Sequence, residues 1–186
     1  MDPEKIQKHL NVFHNLLIDI LRRRELFRIF EENLKGKATE DVVKKNWFIS
    51  FYITDYARAQ ATDLRKFFET DEASYKIKSL TDHLGDKGIA GVHKKIFEHW
   101  KEKFEKPANK LIMHIDQGSE GIPTVFKKQE IDQLINDTNT FFDSIVNAFG
   151  KQDKIVFDKK YRDQNDNFLS AEAKREFAEY LKIICS

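Results

Sequence analysis

The stretch Pro3-Glu-Lys-Ile-Gln-Lys-His-Leu10-Asn-Val-Phe13-His-Asn-Leu-Leu17-Ile-Asp-Ile20-Leu21 establishes the chain as helical. Ile6, Leu10, Phe13, Leu17, Ile20, Leu21 and Phe27 recur at three- and four-residue steps, the spacing of one helix face. Pro3 suits the first helical turn, where its missing N–H would have no partner anyway. The helix is expected to run to about Leu34 and to end at Gly36. Arg22-Arg23-Arg24 lies inside it. Three consecutive residues spread over most of a helix circumference, so at least one arginine is expected to point inward or towards a partner. The others read as a solvated face with buried stems.

The same periodicity continues downstream. Thr39, followed by Glu40 and Asp41, caps a second long helix with acids in its first turn, where the helix dipole favours them. Trp47, Phe48, Phe51, Tyr52, Tyr56 and Ala59 make it aromatic, and Leu64, Phe67 and Phe68 close it. Aromatics at helical spacing are far more often core than a stacking platform for bases, and core is the reading adopted. Asp55, Arg58, Asp63 and Arg65 offer pairing options within it. A short helix over Ile77, Leu80 and Leu84, with Ser79 as its cap, is expected to end at Gly85, with Gly85-Asp-Lys-Gly88 as a turn. From Ile89, Val92, Ile96, Phe97, Trp100 and Phe104 mark another helix, ending or kinking at Lys106 because Pro107 follows. Glu130 onward is helical to Phe149, with Gly150 at the C′ position, and Ser170-Ala-Glu-Ala opens a last helix carrying Phe177, Leu181 and Ile184. Between these, Ile155 to Phe157 reads as a short extended segment and Tyr161 to Asn167 as polar turns. Strand content is expected to be close to nil.

Composition narrows the function classes. At 186 residues, one core is affordable without disulfides or structural metals. Charged residues make up 34% with both signs interleaved, and the net charge is +1, so any affinity for nucleic acid has to come from a local patch. The single cysteine, Cys185, has no internal partner for a disulfide, which fits a reducing compartment. No apolar run approaches the roughly 18 residues of a membrane span, and there is no signal-peptide pattern. A cytoplasmic protein with no membrane partner is expected. The chain lacks a phosphate-cradling glycine loop, Cys/His metal spacing and a G-x-S-x-G elbow. His93 and His99 are six residues apart, so they do not share a helix face as a metal pair would. No metal and no cofactor are expected.

By elimination the chemistry falls on Pro107-Ala-Asn-Lys-Leu-Ile-Met-His-Ile-Asp-Gln117. Pro107 opens a short helix, and Gly118, Gly121 and Pro123 stop it. At about 100° per residue, Lys110 and Gln117 share the face of His114, beside an apolar arc of Ala108, Leu111, Ile112 and Ile115. Imidazole titrates near neutral pH, which suits it to proton transfer. The bland alternative is a histidine satisfied between helices.

Asn109, Lys110, His114 and Asp116 resemble the signature of the HEPN superfamily, the helical domains of many prokaryotic toxin and phage-defence ribonucleases. Many members read Arg-Asn-Lys-x-x-Ala-His-x-Asp. The order of elements is similar to that of the AbiU-type abortive-infection branch: an aromatic-rich helix, Asp63-Leu-Arg-Lys-Phe-Phe-Glu-Thr-Asp71, a short Ser79-Leu80 element, then the motif helix. The likeness spans about residues 5 to 150. It implies an all-α bundle of about five to six helices, with two long antiparallel helices and the motif helix against them. Residues 1–150 would form this HEPN-like bundle, and residues 151–186 a C-terminal extension with one helix packed on the same domain. The resemblance also implies a metal-independent endoribonuclease acting as a homodimer, with a composite site across a two-fold axis. In that site His114 moves protons as the ribose 2′-OH attacks the adjacent phosphate, and Asn109, Lys110 and Asp116 lie at the RNA phosphate. A cognate antitoxin or nucleotidyltransferase would be the partner.

One position departs from the family. The arginine expected immediately before Asn109 is Ala108. Losing a guanidinium from a phosphorane transition state should cost roughly 3 kcal/mol, by analogy with oxyanion donors. Lys110 offers a point charge rather than a fork. Three readings of Ala108 stand: an introduced substitution that disarms a toxic protein, a naturally degenerate site, or a small residue on the apolar arc. Lys101, Lys103, Lys106 and Lys110 supply local phosphate attraction or, with Glu98, Glu102 and Glu105, a solvated helix face. The competing function is a non-catalytic helical interaction domain that binds a partner protein or nucleotide.

Overall fold

The computed structural model describes residues 1–34, 47–68, 77–102, 128–155, 157 and 169–184. Among them the chain forms six helices and no strand: α1 (Pro3–Leu34), α2 (Trp47–Phe68), α3 (Ile77–Leu84), α4 (Lys87–Trp100), α5 (Lys128–Gln152) and α6 (Ala171–Ile184). This is the all-α bundle that the periodicity predicts. No described helix is long and apolar enough to cross a membrane.

The axis of the bundle is α1. Its first turn is closed by the Asp2 carboxylate, which accepts from the Lys5 N–H at 2.8 Å. Ile6, Leu10, Phe13, Leu17, Ile20 and Leu21 are all buried, and so are Phe27, Phe30 and Leu34 further along. Against one side lies α2, running antiparallel. The Phe13 ring meets Phe67 edge-on at 5.2 Å, the Gln60 amide donates to the Ile20 carbonyl at 3.0 Å, and Phe27 stacks on Tyr56 at 3.9 Å. Against the other side lies α5, also antiparallel: His14 stacks on Phe142 at 6.1 Å, and Arg24 reaches Asn136 at 2.6 Å. Helices α3 and α4 pack on α5, and α6 packs on α1.

The apolar core is in two parts, and α1 runs through both. The larger part joins Ile6 to Leu21 of α1 with Leu64, Phe67 and Phe68 of α2, Leu80 of α3, Trp100 of α4, and Leu134, Phe141, Phe142 and Phe149 of α5. The smaller joins Phe27, Ile29, Phe30 and Leu34 with Ile49 and Tyr56 of α2 and Leu181 of α6, with Phe177 and Leu169 at its edge. Between them lies a polar waist at Arg22 to Glu25. Of the aromatic stripe of α2, Tyr56, Phe67 and Phe68 are core as expected and Tyr52 is half-buried, Phe51 is 55% exposed, and the side chains of Trp47 and Phe48 lie outside the described residues.

Several helix ends differ from the sequence reading, each for a local reason. Ser79 does not cap α3, which already begins at Ile77. Gly85 adopts a positive φ of 63° and ends that helix, but the expected turn is cut short. Asp86 caps α4 instead, its carboxylate accepting from Gly88 and Ile89 N–H at 2.7 and 3.0 Å, so Lys87 and Gly88 are already helical. Gly150 is not the C′ residue of α5, because the helix continues to Gln152. The left-handed residue is Lys154, at φ 54°, and the Ile155 N–H folds back to the Phe149 carbonyl at 3.4 Å. The Ser170 hydroxyl caps α6 by accepting from Ala173 N–H at 3.0 Å.

Histidines line the main core. His9 and His14 are buried on α1, and His14 also meets Phe157 edge-on at 5.0 Å. His83 stacks on Phe149 at 6.0 Å and His93 lies over Phe141 at 5.5 Å, so α1, α3 and α4 each set an imidazole against a phenylalanine of α5. Burial pushes the His9 and His93 imidazoles below the ordinary range. Lys5 and Lys8 add to this at His9, and Lys78 adds to it at His93 while Asp82 opposes.

Two outcomes follow from this packing. Phe142→Ala, which empties a fully enclosed site, should cost about 3–5 kcal/mol. The thermal midpoint should then fall by on the order of 10 °C, read by circular dichroism. His9 and His93 resist protonation when folded but accept it when unfolded. Stability should therefore hold steady above the ordinary histidine pKa of about 6.5 and decline as pH falls below it. Urea midpoints measured from pH 7.5 to 5.5 check this; a midpoint that rises on acidification contradicts it.

Candidate functional site

The residues that the sequence reading placed at the site, His114, Ala108, Asn109, Lys110 and Asp116, lie outside the described residues, as do Lys103, Lys106 and Glu105. The helices on either side are described. At the end of α4, Lys101 keeps a helical backbone (φ −60°, ψ −48°), and its N–H returns to the Phe97 and Glu98 carbonyls. Lys101 and Glu102 are exposed, and Lys94 pairs with Glu98 at 3.7 Å on the same outer face. Those groups form a solvated, mixed-charge helix face, as the bland reading of the lysines expected for Lys101. After residue 127 the chain enters α5 at Lys128, and α4 and α5 pack on each other.

The antiparallel course of α5 carries its first turns to the polar waist of α1. There Arg24, Glu25 and Arg28 of α1 face Asp132 and Asn136 of α5 around a cavity of about 310 Å³. Both helices use the same four-residue step, Arg24 to Arg28 and Asp132 to Asn136, which stacks each pair on one face. The three consecutive arginines fare differently. Arg22 lies 3.9 Å from Asp19 at the surface. Arg23 turns inward to the buried Asp63, which also takes Lys66 at 3.1 Å. The expectation that one of the three points inward is met by Arg23. Arg24 donates to the amide oxygen of Asn136, and this neutral group is its partner among the described residues.

Around the cavity Glu25 and Arg28 are matched. Arg28 bridges Glu25 at 2.9 Å and Glu32 at 2.8 Å, and Lys174 of α6 reaches Glu25 at 2.9 Å. The Arg28 hydrogen bonds are the largest cause of the shift that holds the Glu25 carboxyl at about 2, with Lys174 adding to it and burial opposing. The same contacts raise the Arg28 guanidinium above its ordinary value. On the far side of the waist, burial pushes the Tyr52 and Tyr56 phenols up to about 12, so both stay neutral.

Sequence reasoning read the arginine run and left Arg28, Asp132 and Asn136 unremarked. The usable signal was the matched i, i+4 spacing of polar residues interrupting two otherwise apolar stripes. Asp55 and Arg58 pair on α2 at 2.9 Å, a local surface bridge. Among the described residues no group of three or more His, Cys, Asp or Glu converges as a metal site. Searched against protein-family models, curated proteins and solved structures, the chain matches none of them.

Proposed function

We propose that this chain is a HEPN-type, metal-independent endoribonuclease, or a module derived from one, of a toxin–antitoxin or phage-defence system. The observation that carries the reading is the run Asn109-Lys110-x-x-x-His114-x-Asp116, set in a chain whose described elements are all helices. His114 takes the proton of a ribose 2′-OH as that oxygen attacks the adjacent phosphorus. The bond to the leaving 5′-oxygen then breaks, leaving a cyclic phosphate and a 5′-hydroxyl. An imidazole with a pKa near neutrality serves as base for the first transfer and as acid for the second. Asn109, Lys110 and Asp116 lie at the phosphate and hold it. One histidine is an incomplete site, and a two-fold axis doubles it, so the active form is a homodimer. The protein works in the cytoplasm, on RNA, under control of an antitoxin or a nucleotidyltransferase.

Ala108 favours a second reading, a binding or regulatory domain of the same lineage that has lost cleavage. A lysine cannot reproduce the planar fork that a guanidinium offers to a phosphorane. The two readings separate by incubating RNA with the chain as it stands, with Ala108→Arg, and with Ala108→Arg combined with His114→Ala. Restoring an oxyanion donor worth roughly 3 kcal/mol should raise cleavage on the order of a hundredfold, and the added His114→Ala should remove it. Cleavage by none of the three, from dimers shown intact by sedimentation, contradicts the nuclease reading.

A further inference from the structure

Helix α4 is sparsely anchored for an element of the main core. Of its fourteen residues Ile96 and Trp100 are buried, whereas α3, at eight residues, buries Ile77, Leu80, Thr81 and Leu84. Gly88 and Gly91 stand exposed in its first two turns, and glycine weakens a helix interior. It packs mainly on α5 and α3, and Trp100 also meets Phe68 of α2 at 6.0 Å.

His93 lies on the side of α4 turned to α5, at three-, four- and seven-residue steps from Ile96, Ile89 and Trp100. Its ring is 5.5 Å from the Phe141 ring of α5 and 6.1 Å from that of Phe97. It makes no hydrogen bond or ion pair among the described residues. From α3, Lys78 opposes an imidazolium there and Asp82 favours one, and the two are paired with each other at 2.6 Å. From α5 the facing group is the Phe141 ring, and Asp137, one turn earlier, takes the Gln133 amide at 2.8 Å. On α4 itself, Lys94 pairs with Glu98 at 3.7 Å on the outer face, and His99 lies a third of a turn away from His93. Burial weighs most against protonation of His93 in the folded chain.

We propose that α4 is an acid-released element: it parts from α5 and α3 while α1, α2, α3 and α5 stay together, and protonation of His93 drives the release. Packed, His93 would hold its charge against two hydrocarbon rings with no carboxylate bonded to it; released, it holds that charge in water. A cation–π attraction to the rings offsets part of the lost hydration. The open form therefore takes up a proton more readily than the packed form. The packed form loses ground as pH falls through the ordinary histidine value of about 6.5, and not above it. The decline in global stability derived above counts His9 as well; release of α4 depends on His93. The device neither needs nor supports the nuclease reading.

Amide hydrogen exchange on the intact chain, corrected for the intrinsic rate at each pH, tests this from pH 7.5 to 5.5. Protection over Ile96 to Trp100 should be lower than over Leu17 to Leu21 of α1, since α4 opens without the rest. It should fall at least threefold across the interval, within the tenfold per pH unit that one proton allows. His93→Leu, as apolar as the site, and His93→Gln, uncharged throughout, should each flatten that fall in chains of native ellipticity. His99→Gln should leave it in place. Equal protection of α4 and α1 in the wild-type chain would show that α4 opens only with the whole bundle, and would overturn the proposal without any variant. So would protection in α4 that ignores pH, a fall that survives in either folded His93 variant, or a fall lost in His99→Gln.

Discussion

Burial of α1 from two opposite sides is the constraint on which the described structure rests. The helix is 32 residues long, so it spans about 48 Å. Its apolar residues do not form one stripe but wrap far enough round to meet α2 on one side and α5 on the other. Contacts at different heights hold each neighbour: Phe13 with Phe67 and Phe27 with Tyr56 on α2, and His14 with Phe142 and Arg24 with Asn136 on α5. Together these contacts fix the antiparallel register of both partners. Helices α3 and α4 then add to the open side of α5, and α6 adds to the far end of α1. Removing an outer helix would leave α1, α2 and α5 together; removing α1 would take away the element against which α2, α5 and α6 each pack.

The waist at Arg22 to Glu25 qualifies that picture. A helix buried on two sides over its whole length would be expected to carry apolar residues throughout, yet α1 interrupts its stripe between Leu21 and Phe27. The cost is met by pairing. Arg23 enters with Asp63, which Lys66 also holds, and the Gln60 amide bonds to the Ile20 carbonyl. Buried ion pairs are weak as sources of stability, but they penalise any register that would leave one member alone. By this argument the waist specifies how α2 sits on α1 more than how tightly it sits. On the α5 side the pairing is looser, and a cavity remains.

The helical class, the six helices and the course of the core were legible in the sequence because three- and four-residue apolar spacing has one structural solution. Phe13, Leu17, Leu64, Phe67, Leu134, Phe141 and Leu181 were each readable as core from spacing alone. Helix ends were less legible. Gly150 looked like a terminator, but a glycine is tolerated inside a helix whose neighbours, Phe149 and Ile145, are well buried. Lys154 took the left-handed position although its side chain gives no hint of it. Asp86 was hidden inside what read as a glycine turn. The polar cavity was illegible for a different reason: Arg24, Asp132 and Asn136 are ordinary surface residue types. Only the antiparallel register of α1 and α5, a property of the folded chain, sets them opposite one another.

The most direct measurement of the central role of α1 is amide hydrogen exchange on the intact chain, resolved by residue. If α1 is the element that all the others are built on, its amides from Leu10 to Leu21 should exchange only through global unfolding. Their protection should equal the free energy from denaturant titration and should match that of Phe67 in α2 and Phe142 in α5. Protection in α1 well below that in α2 and α5, showing that it opens while they stay together, would contradict the account.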